Sequence, residues 1–425
     1  MEVRALSIRR NVLYGLIGNV IFALTQWGII AVVARMGSPE EVGAITVATA
    51  LVTPIFFMAA MSMREGHSVD DLTEFNTTHY FALRLVNSVV AMLVICALVA
   101  MWDVYQGSLV QTTTLAFMLV KFVGTQANMS YGSFQRAQRL DFVAVSYAIR
   151  GVLGLAGFAA AYALTGALWV AFLVEALMWI GAQWFVDRRF LARLDITNRL
   201  SAVFEVRPGI LLKLFLWMLP LGLAGFFVNA TASAPRLVLA QHVDLSLVGV
   251  FGAIAYINTA LATVTNAIGS ASAAHLRRLV REGRRARFQK LSLKLVCMSS
   301  AIGVSILAVV WFAGPWILNL LYGGLFVDQR LFVLVILSTA LRMAAAPLQF
   351  AMTAGHVFWR RLWINFAAFA VTLAAAVILI PSQGVYGAAY ALLLGVAVRT
   401  LLLLVFFFRL SLSIQLPSGT ESIPP

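Results

Sequence analysis

The chain has 425 residues, of which 61% are hydrophobic and 11% charged; 31 Lys+Arg face 17 Asp+Glu, for a formal net charge of +14. Its mean hydropathy is +0.91. Soluble domains carry about 25% charged residues, so this composition argues against a soluble enzyme, a nucleic-acid-binding domain and a disordered chain.

Apolar runs long enough to cross a bilayer recur along the whole chain. Twelve spans are predicted, near 11–34, 42–62, 80–101, 113–134, 142–163, 166–186, 214–235, 247–269, 293–313, 331–353, 363–381 and 384–408. Each is expected to be a helix, because backbone groups in lipid must be satisfied within the segment. The first run, of about 24 residues, is too long for the apolar stretch of a cleaved signal and reads as a span. Span 1 carries Asn11, Gly15, Gly18, Asn19 and Gln26 on one face, and span 2 carries Thr46, Thr49 and Thr53. These small and polar stripes suit helix packing and a hydrated cavity equally. Arg84 lies about one turn inside span 3, where snorkelling accounts for it. In span 4, Lys121, Thr125, Asn128, Gly132 and Gln135 share one helical face. Arg150 in span 5 and Glu175 in span 6 sit deep in adjacent antiparallel spans and can form an ion pair. Span 8 holds Thr259, Thr263, Asn266 and Ser270; span 10 holds Arg342, Gln349 and Thr353; span 12 holds Arg399. No acid is expected at the depth of Lys121 or Arg342. Cys96 and Cys297 fall inside apolar runs and read as buried thiols.

Segment 34–43 (ARMGSPEEVG) matches 240–249 (AQHVDLSLVG), 206 residues apart. Six spans per half give two like-oriented halves, 1–206 and 207–425, and repeated halves commonly hold a site at their interface. Twenty-three of the 31 Lys and Arg fall on the side of the N-terminus. Only Arg35, Arg236 and Arg330 are assigned to connectors on the other side. The bias places both termini in the cytoplasm. The basic connector 277–292, with Leu276, Leu279, Val280 and Phe288 interleaved, is expected to lie on the anionic membrane surface. Outward connectors are too short for a catalytic domain.

A charged side chain at mid-membrane costs about 2.5–3.5 kcal/mol and usually faces protein or a water-filled cavity. Lys121, Arg150, Arg342 and Arg399 are therefore candidate substrate-binding cations. Asn19, Gln26, Asn128, Thr263, Asn266 and Gln349 are candidate polar lining, and Glu175 a candidate ion-pair or proton site. Such an interior suits an anionic substrate, and Arg and Lys both bind phosphate. There is no G-x-x-x-x-G-K-[ST], HExxH, CxxC or nucleophile elbow, and the five histidines are scattered near span ends. No enzyme activity, cofactor or metal site is expected.

Asn11 with a small-residue first span, Ala34-Arg35-Met36-Gly37 leading to Glu41-Val42-Gly43, Gly314-Pro315-Trp316-Ile317-Leu318-Asn319-Leu320-Leu321-Tyr322-Gly323 and Gly384-Val385-Tyr386-Gly387-Ala388-Ala389 form a pattern along nearly the whole chain. It resembles the polysaccharide-transport, O-antigen flippase branch of the multidrug/oligosaccharidyl-lipid/polysaccharide (MOP) exporter superfamily. The resemblance implies an all-α integral membrane protein with two six-helix lobes around a central cavity. It implies a substrate of undecaprenyl-pyrophosphate-linked oligosaccharide, moved outward across the bacterial inner membrane by alternating access. Polysaccharide polymerase or assembly proteins are implied as partners beside membrane lipids, with no nucleic acid. The alternative is an ion-coupled multidrug or metabolite antiporter of the related branch, which would carry several interior acids. A major-facilitator transporter and a glycan polymerase fit less well, for want of a Gly-x-x-x-Asp-Arg connector and of a long outward loop.

Overall fold

The computed structural model describes residues 6–69, 74–194, 205–354 and 358–413, and all described regular structure is helical. The first half holds α1 (Ile8–Met36), α2 (Pro39–Ala60), α3 (Met63–Val69), α4 (Thr77–Met101), α5 (Ser108–Arg136), α6 (Leu140–Thr165), α7 (Leu168–Ala182) and α8 (Arg188–Arg193). The second holds α9 (Pro208–Leu239), α10 (Leu245–Arg281), α11 (Arg285–Tyr322), α12 (Gln329–Ala354) and α13 (Phe358–Ser413). A π-helical turn at Gln183–Asp187 joins α7 to α8. Among the described residues, ten helices are long and apolar enough to cross a membrane. One of these, α13, is two antiparallel arms folded at Gly384, whose φ of 55° is open to glycine. Helix α10 adds a further apolar segment, Leu245–Asn258. Every one of the twelve predicted spans thus falls on a helix.

Local chemistry fixes the helix ends. Ser38 opens α2 by accepting from the Glu41 amide while the Glu41 carboxylate accepts from the Ser38 amide, with Pro39 in the first turn. The Tyr162 hydroxyl of α6 donates to the same carboxylate at 2.8 Å, which ties this corner to the rest of the lobe.

In the first half α6 packs between α1 and α7, and α5 between α2 and α7; in the second, α12 packs between α11 and α13, and α9 along α13. The halves meet where α2 runs against α9 and α10, and α1 against α10. This contact is reciprocal. A Cβ on Gly43 would collide with the Leu245 carbonyl, and a Cβ on Gly249 with the Pro39 carbonyl. Gly249 is 206 residues beyond Gly43, and Leu245 the same distance beyond Pro39. Thr46 and Gly252, also 206 apart, touch each other, so a local twofold axis passes between them. The two matching sequence segments are the two sides of one interface.

Three sequence expectations change. Gly15 and Gly18 seat α1 against Leu140 and Ala144 of α6, and Asn11 accepts from the Leu140 amide at 2.9 Å. The Thr46 and Thr49 hydroxyls bond carbonyls of their own helix. These parts of the stripes serve packing. In the connector near 277–292, α10 and α11 meet in a tight turn at Gly283 (φ 66°), and its apolar residues turn into the protein. Leu276, Leu279 and Phe288 are buried against Leu348, Ile364 and Phe407. Apolar burial inside a helical hairpin replaces burial in lipid. Cys96 and Cys297 are exposed on the outside of the bundle rather than buried, because lipid solvates a thiol on an apolar helix face as well as a core does.

Candidate functional site

Two polar chambers flank the interface between the halves. The first lies inside the N-terminal lobe. There the Gln26 amide of α1 donates to Glu175 of α7 at 3.2 Å. Glu175 is 1% exposed, and its Oε2 has no hydrogen-bond partner among the described residues. Lys121 of α5 and Arg150 of α6 both lie within electrostatic reach of it. The Lys121 ammonium sits 5.0 Å above the Phe117 ring. Arg150, 2% exposed, is boxed by the rings of Trp179 at 4.5 Å, Phe22 at 5.0 Å, Tyr131 at 5.4 Å and Tyr147 at 5.5 Å. Asp187, buried in the π-helical turn, is a second acid within reach of Arg150. The expectation that Lys121 has no acid at its depth is therefore overturned. Helix α5 packs on α7, two spans further along the chain, and brings Glu175 to it.

The second chamber lies inside the C-terminal lobe, between α9, α10, α12 and the second arm of α13. It is a cavity of about 60 Å³ whose wall includes Arg236, Arg342, Asn258, Ser338, Thr339 and Leu392. Arg342 Nη2 donates to the Asn258 carbonyl at 3.0 Å. Thr339 donates to Asn258 Oδ1 and bonds the Val335 carbonyl at 3.0 Å. Arg236 Nε has no hydrogen-bond partner among the described residues. Arg399 donates to Gln349 Oε1 at 2.7 Å and lies within electrostatic reach of Arg342 and Arg361. Between Arg207 and Arg409 the sequence has only three acids, Asp244, Glu282 and Asp328. Each sits on a connection between helices or at a helix end.

The four predicted cations are thus divided, with Lys121 and Arg150 in one chamber and Arg342 and Arg399 in the other lobe. Tyr256 of α10 stands between the chambers, within electrostatic reach of both Glu175 and Arg236. Of the predicted lining, Gln26 and Gln349 bond the charged groups. Asn128 is half-buried on α5, and Asn19 is exposed and bonds the Gly15 carbonyl of its own helix at 2.6 Å. Thr263 and Asn266 lie on α10 with side chains outside the described residues.

The span predicted at 214–235 places Arg236 in a connector. The helix instead continues through Pro235 to Leu239. The 206-residue repeat offers the signal for it: Ala232 corresponds to Gln26, and Arg236 lies one turn further on. A separate cavity of about 410 Å³ between the halves is lined mainly by apolar groups, among them Pro54, Leu98, Trp102, Phe226 and Phe369.

No family model matches the chain. It is 24% identical over 337 residues to the capsular polysaccharide biosynthesis protein CapF of Staphylococcus aureus, over 78% of this chain and 81% of CapF. Among solved structures it is similar to an inward-facing multidrug resistance MATE family transporter of the MOP superfamily (15% identity, 99% and 98% of the two chains, TM-score 0.62). It is also similar to the eukaryotic MATE transporter AtDTX14 (11% identity, 96% and 98%, TM-score 0.67). A third is a MOP-superfamily transporter from Pyrococcus furiosus whose binding pocket has reverse polarity, suggesting a different function (14% identity, 96% and 96%, TM-score 0.57). The chain has the fold of the MOP-superfamily transporters and is a multi-pass membrane protein.

Proposed function

We propose that the chain is a flippase for an undecaprenyl-pyrophosphate-linked oligosaccharide, a polysaccharide or O-antigen repeat unit. It works by alternating access in the bacterial inner membrane, with both termini cytoplasmic and without catalysis or cofactor. The halves 1–206 and 207–425 rock about the Gly43–Leu245 and Gly249–Pro39 contacts. Headgroup and sugars pass between them while the prenyl chain stays in lipid, and polysaccharide polymerase or assembly proteins receive the product.

One observation carries this reading. The helices of the C-terminal lobe bring Arg236, Arg342 and Arg399 to its interior with no acid on any span of that half. Uncompensated guanidinium groups in a low-dielectric interior favour an anionic passenger; a carrier of cationic drugs needs the opposite charge. The relation to CapF supports a polysaccharide precursor as that passenger. Arg342 and Arg399, with Gln349, contribute headgroup contacts. Lys121 and Arg150 lie within electrostatic reach of Glu175.

The test is complementation of a strain lacking the gene. Arg342→Ala and Arg399→Ala, at equal membrane expression, are expected to abolish surface glycan while drug susceptibility stays unchanged. Intact glycan with altered drug efflux would overturn the proposal in favour of a multidrug antiporter.

A further inference from the structure

The two chambers occupy corresponding places in the repeat. Gln26 and Ala232 are 206 residues apart. Lys121 stands thirteen residues beyond Ser108, the first residue of α5, and Arg342 thirteen beyond Gln329, the first of α12. Glu175 stands seven residues beyond Leu168, the start of α7. Leu392 stands seven beyond Val385, which follows the Gly384 fold. Ala232, Arg342 and Leu392 all line the C-terminal cavity. An amide, a cation and a carboxylate in one lobe therefore correspond to a methyl group, a cation and an isobutyl group in the other. Where the first lobe has an acid, the second has Leu392, and it carries Arg236 besides.

We infer that the C-terminal chamber is a phosphate-group site built on Arg236 and Arg342, and that Glu175 fills the corresponding place in the N-terminal lobe as a built-in substitute for that ligand. The N-terminal chamber shows what a cation at this register is arranged around, namely a carboxylate oxygen that also accepts from an amide. In the C-terminal chamber the oxygen anion must come from outside the chain. The cavity's size sets its class. About 60 Å³, by a measure in which one water occupies roughly 10–15 Å³, holds about four to six waters, and a phosphate group has five heavy atoms. The wall supplies a guanidinium from each side, with Asn258, Ser338 and Thr339 between them. Planar guanidinium groups bind phosphoryl oxygens through paired N–H donors. Leu392 and Val396 contribute apolar surface to the rest of the wall. This assignment rests on the flippase reading only for the source of the phosphate, which is a polyprenyl phosphate headgroup.

The experiment uses the full chain in phosphatidylcholine nanodiscs and measures the thermal midpoint against inorganic phosphate. Wild type and the distant surface variant Lys290→Gln are expected to gain stability over the same phosphate range. Arg236→Gln and Arg342→Gln are expected to need at least tenfold more phosphate for the same gain. Leu392→Glu installs the carboxylate of the other lobe. It is expected to fold with an undiminished midpoint and to lose the phosphate response, which separates loss of the site from loss of the fold. A wild-type midpoint that phosphate does not move, or a response kept by both Arg variants or by Leu392→Glu, overturns the inference. Undecaprenyl phosphate in the discs is expected to abolish the response to added phosphate. If the response persists beside the lipid, the phosphate site stands and the polyprenyl source falls; if Leu392→Glu loses the response and still exports glycan, the flippase reading stands and the inference that this site holds its headgroup is overturned. Glycan export by wild type with no phosphate response leaves the flippase reading and removes the site.

Discussion

Replacing Glu175 by Leu turns the N-terminal chamber into a likeness of its counterpart, and the structure sets the size of the effect. The substitution removes the acceptor of the Gln26 amide and the one carboxylate within reach of both Lys121 and Arg150. Removing one partner of a contacting buried ion pair costs about 3–5 kcal/mol, an upper bound here because among the described residues no Lys121 or Arg150 nitrogen lies within 4.0 Å of a Glu175 oxygen. The lower end applies, because Arg150 keeps Asp187 and four aromatic rings, and Lys121 keeps the Phe117 face. Taking about 3 kcal/mol, and about 1–2 °C per kcal/mol for a chain longer than the 150–250-residue domains that shift by about 2–4 °C, the midpoint falls by roughly 3–6 °C. The ten tryptophans make intrinsic fluorescence a suitable readout, at one scan rate because unfolding of a membrane protein is commonly irreversible. A second substitution, Lys121→Met, is expected to restore at least half of the loss, since it removes the stranded charge. A Glu175→Leu midpoint equal to wild type, or a double variant that loses the sum of the two single effects, would refute the assignment of Glu175 as the partner of Lys121.

Other expectations follow from the same contacts. Gly252→Val drives a side chain into Thr46 at the local twofold axis; it should cost about 1–3 kcal/mol and reduce transport more than the same change at Gly209, which has open space around it. A nitroxide on Cys96 or Cys297 should be relaxed by oxygen dissolved in lipid and not by an aqueous nickel chelate, because both thiols face outward from the bundle. Arg35 donates to the carbonyls of Asn319, Leu320 and Leu321, and the Trp27 indole donates to the Tyr322 hydroxyl at 2.7 Å, joining α1 to the end of α11. Arg35→Ala with Trp27→Phe should therefore raise maleimide labelling of a cysteine at Ser338 in a cysteine-free background by several-fold.

The sequence carries the fold at the level of spans and of the repeat. Hydropathy places all twelve spans because lipid demands long, internally bonded apolar helices, and the 34–43 and 240–249 segments point to the contact of Gly43 with Leu245 and of Gly249 with Pro39. What it does not carry is the pairing of spans distant along the chain. Glu175 reaches Lys121 only because α5 packs on α7, and nothing in either span's own pattern states this. The polar stripes were ambiguous for a physical reason: Gly18 and Thr46 have the same small size whether they admit a neighbouring helix or line water, and here they admit a helix. Arg236 falls one residue beyond the span end that hydropathy gives at 235. In α9 the helix runs past Pro235 for one more turn and brings the guanidinium to the chamber.

The inequality of the lobes bears on how a transport cycle would run. A chamber that contains its own counter-charge is equally stable with and without a passenger, so it gives a ligand little reason to prefer one arrangement of the lobes. A chamber with two arginines and no acid is different: when empty and closed to water, each guanidinium loses hydration with no anion to replace it. A ligand shifts an equilibrium only by the difference in its affinity for the two states, and such a difference is largest where the empty site is the unfavourable one. On the proposed reading, the C-terminal chamber supplies that difference, because a phosphate group makes its closure favourable, and the N-terminal chamber supplies a rigid wall for it to move against. The reciprocal glycine contacts then act as the fulcrum. Their close backbone approach holds α2 and α10 together.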